Sequence, residues 1–238
     1  MQKLIYPFWK PSTVSIEQFR DQLLSELSPK LIAAGSRHLR FCFADKDVAP
    51  AAPYRIVSED TDGQSDPVDG VITLWLDSYL RRAPFEAMIS EAIERFSGYL
   101  VWESEPLVNT AHVAAIGERT PGMNEVVFLR KPERLTHEEW LTVWHESHTW
   151  VAIDTQSTFG YRQNVVIRSL TDKALKQDAI IEENFPKAAL HSRMAFYDAG
   201  ENRDQYKARE REMVESCARF IDFDNMDCIP MSEYIMQR

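Results

Sequence analysis

Residues 144 to 150 read W-H-E-S-H-T-W, two histidines around a glutamate. Imidazole and carboxylate groups this close can hold a divalent metal or move protons. The zincin arrangement needs H-E-x-x-H, whose i, i+4 histidines share one metal while the glutamate acts as base. His145 and His148 are three apart, one residue short of that spacing. A metal would need further ligands from elsewhere, for instance Glu182 or Glu183, and the reading adopted is that no metal is bound. Proton transfer is the chemistry that remains.

That chemistry needs an element that points one histidine inward. Lys131-Pro132 ends an apolar run, and Thr136 then stands where a helix N-cap takes up a free backbone N–H. On a helix from Thr136, Trp140, Trp144, His148 and Val151 recur at spacings of four, four and three and form one stripe toward a sheet. The 3.6-residue period places His145 about 60° round the axis from His148, toward Leu141 and the helix edge. An imidazole walled by Trp140 and Trp144 is shielded from water, so small contacts set its protonation near neutrality. His148 is therefore the candidate acid or base, with Trp140, Trp144 and His145 as candidate substrate contacts.

The helix belongs to a unit used twice. At an offset of 121 residues, F-W-K-P-S-T-V-S-I-E-Q-F (8 to 19) aligns without a gap on L-R-K-P-E-R-L-T-H-E-E-W (129 to 140). Lys10 meets Lys131, Pro11 meets Pro132, Ser15 meets Thr136 and Phe19 meets Trp140. Less tightly, D-G-V-I-T-L-W-L (69 to 76) parallels D-A-I-I-E-E-N-F (178 to 185), and the closing strand at 99 to 108 parallels that at 228 to 236. Amphipathic helices are expected at 83 to 97, 187 to 198 and 203 to 221. Each half then runs strand, helix, strand, strand, helix, strand, the ferredoxin-like plan. The expected fold class is α+β: two ferredoxin-like βαββαβ repeats packed sheet to sheet as an intramolecular dimeric α+β barrel. Residues 1–108 form the N-terminal half, 109–123 a linker and 124–238 the C-terminal half with the site. The acidic, Pro-rich loop from Asp45 to Asp69 could cover a pocket mouth or be a surface insertion.

The second half resembles the EthD domain family of the dimeric α+β barrel superfamily. V-V-F-L-R-K-P (126 to 132), T-H-E-E-W-L-T-V-W-H-E-S-H (136 to 148) and Y-R-Q-N-V-V (161 to 166) carry the resemblance. Trp144 and His148 fall on the family's Trp and His, and Tyr161, Gln163 and Asn164 on its second strand. The first half has Leu23 and Leu27 where Trp144 and His148 stand, and Thr149-Trp150 replaces the family's usual small residue and proline. The resemblance implies a small, often aromatic, ligand in a cleft between sheet and helices, but the superfamily spans oxygenases, cyclases, isomerases, dehydratases, decarboxylases and heme enzymes. Fold does not choose among these.

Strand alternation limits what can share that cleft. Tyr161 and Gln163 face one side, Arg162 and Asn164 the other, and Glu182 and Glu183 also oppose each other. Tyr161 and Asn164 are carried over from the family pattern, and Glu182 is taken as the carboxylate that orients His148 or acts as partner acid. An ion pair with Arg162 or Arg168 is the alternative for that glutamate.

Composition excludes several classes. A net charge of -10 disfavours nucleic acid and anionic membranes as partners. No apolar run approaches the roughly 20 residues of a membrane span. Cys42, Cys217 and Cys228 lack C-x-x-C spacing, which fits a reduced cytoplasm. D-F-D-N-M-D (222 to 227) lacks the glycine of a calcium loop, and neither G-x-G-x-x-G nor G-x-S-x-G occurs. The expectation is an enzyme without organic cofactor that handles a small aromatic or polyketide-like substrate by proton transfer, of lyase or isomerase type (decarboxylation, dehydration or cyclisation). His148, Tyr161 and Glu182 are its catalytic candidates, and Trp140, Trp144, His145, Gln163 and Asn164 its substrate contacts. A cofactor-free oxygenase of phenols and a non-catalytic binding protein stay open, as does pairing into a homodimer.

Overall fold

The structure is a computed structural model that describes residues 1–58, 67–172 and 174–238. In chain order the main elements are β1 (Gln2–Trp9), α1 (16–33), β2 (Arg37–Phe43), β3 (Gly70–Leu76), α2 (Ala83–Ala92), β4 (Arg95–Phe96) and β5 (Tyr99–Leu107). There follow β6 (Met123–Leu129), α3 (137–155), β7 (Gly160–Ser169), β8 (Ala179–Phe185), α4 (Arg193–Phe196), α5 (Arg203–Ala218) and β9 (Met226–Ile235). The helix expected at 83 to 97 stops at Ala92, and the one expected at 187 to 198 is a 3-10 turn followed by the short α4. The loop after β2 opens with a 3-10 segment, Lys46–Tyr54. Its middle, residues 59–66, where a pocket cover was considered, lies outside the described residues.

The helix starts form as their sequences dictate. Ser15 with Gln18, and Thr136 with Glu139, each build a reciprocal capping box that satisfies two otherwise free N–H groups. Both helices also contain a π turn, Leu23–Leu27 in α1 and Val143–His148 in α3. The i→i+5 bonding of such a turn widens the helix locally. The inward stripe is re-phased by it: after Trp144 and His148 the buried positions are Thr149, Ala152 and Thr155, while Val151 is only half buried.

All ladders are antiparallel, in the order β3-β2-β9-β6-β8-β7-β5-β1, and a further β1–β3 pairing closes the ring. Eight strands thus make a barrel, and β4 adds two residues beside β1. The strand order β2-β3-β1-β5 in the first half is matched by β7-β8-β6-β9 in the second. The halves are joined edge to edge through β2–β9 and β5–β7, in addition to meeting across the barrel interior. Packing of two separate sheets face to face therefore gives way to one closed sheet, in which each of the eight ring strands is paired on both sides.

Three apolar layers follow from strand alternation. Leu4, Tyr6, Phe8, Phe41, Phe43 and Leu74 face α1 and α2. Val127, Leu129, Val165 and Ile181 face Trp140, Trp144 and Phe220 of the second half's helical layer. Ile5, Cys42, Val71, Val101, Phe128, Ile180 and Met231 fill the barrel interior. The junction before β6 is tight: Gly122 has φ +93°, and a Cβ there would lie 1.9 Å from the Phe185 carbonyl oxygen. Gly122→Ala should therefore lower stability by about 2–5 kcal/mol, from left-handed strain plus overpacking. Gly35→Ala, at φ +99° in open space, should lose only about 1–2 kcal/mol, and urea midpoints of the two variants check the contrast.

Candidate functional site

The closed sheet separates the sequence-predicted site residues into two groups. Trp140, Trp144, His148, Tyr161 and Gln163 meet between the C-terminal half of the sheet and its helices. Glu182 and Asn164 point into the barrel instead. Asn164 Nδ2 donates to Glu182 Oε2 at 3.1 Å, and Glu182 pairs with Lys3 at 2.5 Å and Arg162 at 3.3 Å. Glu182 therefore does not orient His148; the period-2 geometry of β8 puts it in the ion-pair role with Arg162. Lys3, Arg40 and Arg162 together hold its carboxyl well below the ordinary value, against the cost of burial.

On the helix side several polar groups are paired with one another, while the buried Trp140 Nε1 has no hydrogen-bond partner among the described residues. Trp144 Nε1 donates to Tyr161 Oη at 3.0 Å, Gln163 Nε2 donates to Thr149 Oγ1 at 2.8 Å, and Thr149 Oγ1 donates to the Trp144 carbonyl at 2.9 Å. The Tyr161 oxygen, accepting from Trp144, retains its own O–H to give. Trp140 is wholly buried against Trp144, with ring centroids 5.2 Å apart, and His145 packs edge-on to Trp144 at 4.8 Å, half buried at the helix edge.

His148 sits at the seam of α3 and α5, its ring 4.5 Å from that of Phe220 and its Nδ1 3.0 Å from Ser216 Oγ. Arg219 Nη2 donates to that same oxygen at 2.8 Å. The Ser216–Nδ1 hydrogen bond holds the ring of a neutral imidazole in place. Burial, with the nearby Arg219 charge, pushes the His148 pKa down to about 3. Protonation near neutrality, expected from the tryptophan walls, gives way to a ring held neutral across the physiological range. Among the described residues no group of three or more His, Cys, Asp or Glu is placed to hold a metal ion.

The same face of the sheet carries Glu125, which the sequence reading did not single out, beside Glu183 and Tyr161, which it did. Glu125 on β6 is the cross-strand partner of Glu183 on β8, and Glu183 is in turn the partner of Tyr161 on β7. Cross-strand partners hold their Cβ atoms about 4.5–5.5 Å apart on one face, so two carboxyls and a phenol form a row beneath the helices. Both glutamates are buried, and Glu183 Oε1 has no hydrogen-bond partner among the described residues. Burial raises Glu125 to about 7, with Arg193 pulling back; burial and then the Glu125 charge raise Glu183 to about 8. The signal in the sequence was alternation: Glu125 shares parity with Val127 and Leu129, and Glu183 with Ile181 and Phe185, an apolar face interrupted twice by acid.

These shifts set opposite pH limbs. His148 is neutral in the native state down to about 3 while the unfolded chain takes up its proton near 6.5, so that contribution is complete above 6.5 and is lost as pH falls. The two glutamates stay protonated to about 7 and 8 in the native state but ionise near 4.5 when unfolded, so their contribution is complete at low pH and is lost as pH rises. From pH 7 to pH 5, His148→Gln should abolish about 2 kcal/mol of acid-side loss in urea-unfolding free energy, whatever its stability at pH 7. Tyr161→Phe, which strands the Trp144 N–H, should cost about 1–3 kcal/mol in the same measurement.

No protein-family model matches the sequence, and no curated protein does. Solved structures do resemble the chain. An anthrone oxidase-like protein matches with a TM-score of 0.54 at 11% identity, over 100% of this chain and 93% of that one. A dye-decolorizing peroxidase from Bacteroides thetaiotaomicron matches with a TM-score of 0.50 at 10% identity, over 98% of this chain and 93% of the other. At such identities the likeness concerns the fold: the chain shares with these proteins a mixed α+β architecture, here built on a closed eight-stranded antiparallel barrel.

Proposed function

We propose that the chain is an enzyme of small aromatic molecules that works by proton transfer, of lyase or isomerase type, in its EthD-like C-terminal half. The observation that carries the reading is the Glu125–Glu183–Tyr161 row on the helix-facing side of the sheet. Two carboxyls that repel each other in a dry site titrate as a pair, one protonated and one ionised over a window of pH. With values of about 7 and 8 that window lies at neutrality, where a general acid or base works best. Tyr161, aligned by Trp144, would donate to a substrate oxygen, and Trp140, Trp144 and Phe220 would wall an aromatic ring. His148, held neutral, would serve as a hydrogen-bonding group at the α3–α5 seam, and the carboxylates rather than the imidazole would carry the proton. Substrate would enter by parting that seam, where the π turn of α3 already interrupts the regular helical ladder.

Turnover of a panel of phenols and aromatic acids tests this. On a compound that wild type converts, Glu183→Gln should lower kcat by at least about 100-fold, the usual worth of a general acid or base. The wild-type rate should peak between about pH 7 and 8 and lose that maximum in the variant. Full activity in Glu183→Gln, or a flat profile across that range, would falsify the assignment. Activity that vanishes on strict removal of oxygen would instead favour the oxygenase alternative.

A further inference from the structure

A second site lies inside the barrel, on the opposite face of the sheet from Glu183, and does not depend on the reading above. At one end the interior polar residues border a cleft of about 320 Å³, lined among others by Arg40, Trp75, His38, Gln237, Glu103 and Arg162. That volume is at the lower end of the range for small-ligand pockets, roughly 300–1,000 Å³, and suits a single-ring molecule.

The cations in and behind the cleft are not equivalent, and Arg238 at its rim donates to the Ala114 carbonyl. Lys3 donates to Glu103 and Glu182 at 2.5 Å each, and Arg162 donates to Glu105, Glu182, Glu233 and Asn184 at 3.0 to 3.3 Å. Arg40 has its carboxylate neighbours, Glu103 and Glu182, only at 3.6 and 3.9 Å, and its buried Nε has no hydrogen-bond partner. Its side chain is just 11% exposed. A planar guanidinium with free donors is the group that receives a carboxylate in two parallel hydrogen bonds. Gln237 Oε1, on the same cleft, is a buried acceptor without a partner. Arg40 and Gln237 thus line the same cleft beside Trp75, and each carries a buried polar atom without a partner.

The wall is shaped by an irregular strand. Register in β2 shifts between Arg37 and Arg40, and His38 within that shift has φ +50°, a left-handed conformation uncommon for a residue with a side chain. Bulges re-aim side chains, and strained backbone is concentrated where ligands are clamped. Here the bulge sets the imidazole edge-on to Trp75, with ring centroids 6.1 Å apart at 71°.

We propose that this cleft binds a small hydroxylated aromatic carboxylate. The carboxylate accepts from Arg40, the ring lies against Trp75, and the hydroxyl donates to Gln237 Oε1. Glu103 Oε2 accepts from Lys3 and lies 3.6 Å from Arg40 Nη2, beyond hydrogen-bond distance.

Titration calorimetry with 4-hydroxybenzoate, benzoate, 4-hydroxybenzamide and tyramine tests the site. Wild type should bind 4-hydroxybenzoate saturably, benzoate several-fold more weakly, and the amide, which lacks the charge, about tenfold more weakly, each factor of ten being one lost charged contact of ordinary strength. Arg40→Gln should weaken 4-hydroxybenzoate by about tenfold or more, with Glu183→Gln unchanged. Should Arg40→Gln fail to fold by circular dichroism, the acid-against-amide ratio in wild type and a several-fold weakening of 4-hydroxybenzoate in Gln237→Leu decide. The proposal is overturned by no saturable binding to wild type, by equal affinity for acid and amide, by tighter binding of tyramine, or by affinity lost in Glu183→Gln but kept in Arg40→Gln.

Discussion

The buried ion network of Lys3, Glu103, Glu182, Arg162 and Glu233 ties the two halves of the barrel together. Lys3 and Glu103 come from β1 and β5, Glu182, Arg162 and Glu233 from β8, β7 and β9; Lys3–Glu182 at 2.5 Å and Arg162–Glu105 at 3.2 Å cross between the halves. Charges taken out of water persist only where they are paired and hydrogen-bonded, and breaking one such pair costs about 3–5 kcal/mol. Burial pulls the Lys3 pKa down, and the Glu182 and Glu103 carboxylates push back against that shift. Such a network fixes the register of the closing strands. A slip of one residue would turn every one of these charges toward the helices.

Closure in turn decides what each face of the sheet can do. In a ring without edges each strand sends alternate side chains inward and outward, so neighbours in sequence serve different compartments. Glu182 and Glu183 show the consequence. The first is held ionised by three cations inside the barrel, and the second, one residue on, is held protonated by burial and by Glu125 under the helices. The two environments push the same carboxyl in opposite directions, and only the second suits a proton carrier near neutral pH.

Much of the fold was legible because local signals are strong. The Ser15 and Thr136 caps and the Lys-Pro stops placed the starts of α1 and α3, whereas the helices expected at 83 to 97 and 187 to 198 came out shorter. Partners across the ring were not legible, since the β2–β9 and β5–β7 pairings join segments far apart in sequence. The π turn was also hidden: nothing in V-W-H-E-S-H differs from regular helix, yet the turn moves the buried position from Val151 to Ala152. Glu125 was missed for a different reason. A single acid in the run M-N-E-V-V-F-L reads as a strand end until its partner Glu183 is known, and that pairing is tertiary.

The two halves place the same helix to different ends. Each carries a capping box and then a π turn, at Leu23–Leu27 and at Val143–His148. In the first half Leu23 and Leu27 fill the apolar layer, and Phe8, Phe19 and Phe43 pack edge to face beneath it. In the second, Trp144 and His148 stand in those places, and each brings a polar atom that must find a partner in a dry layer. Tyr161 meets the indole N–H and Ser216 the imidazole, so the substitutions are compensated by residues on β7 and α5. A polar layer of that kind adds little to stability over leucines, since its hydrogen bonds replace ones made to water in the unfolded chain. What it supplies is a set of fixed donors beside an acid pair, which an all-apolar layer could not provide.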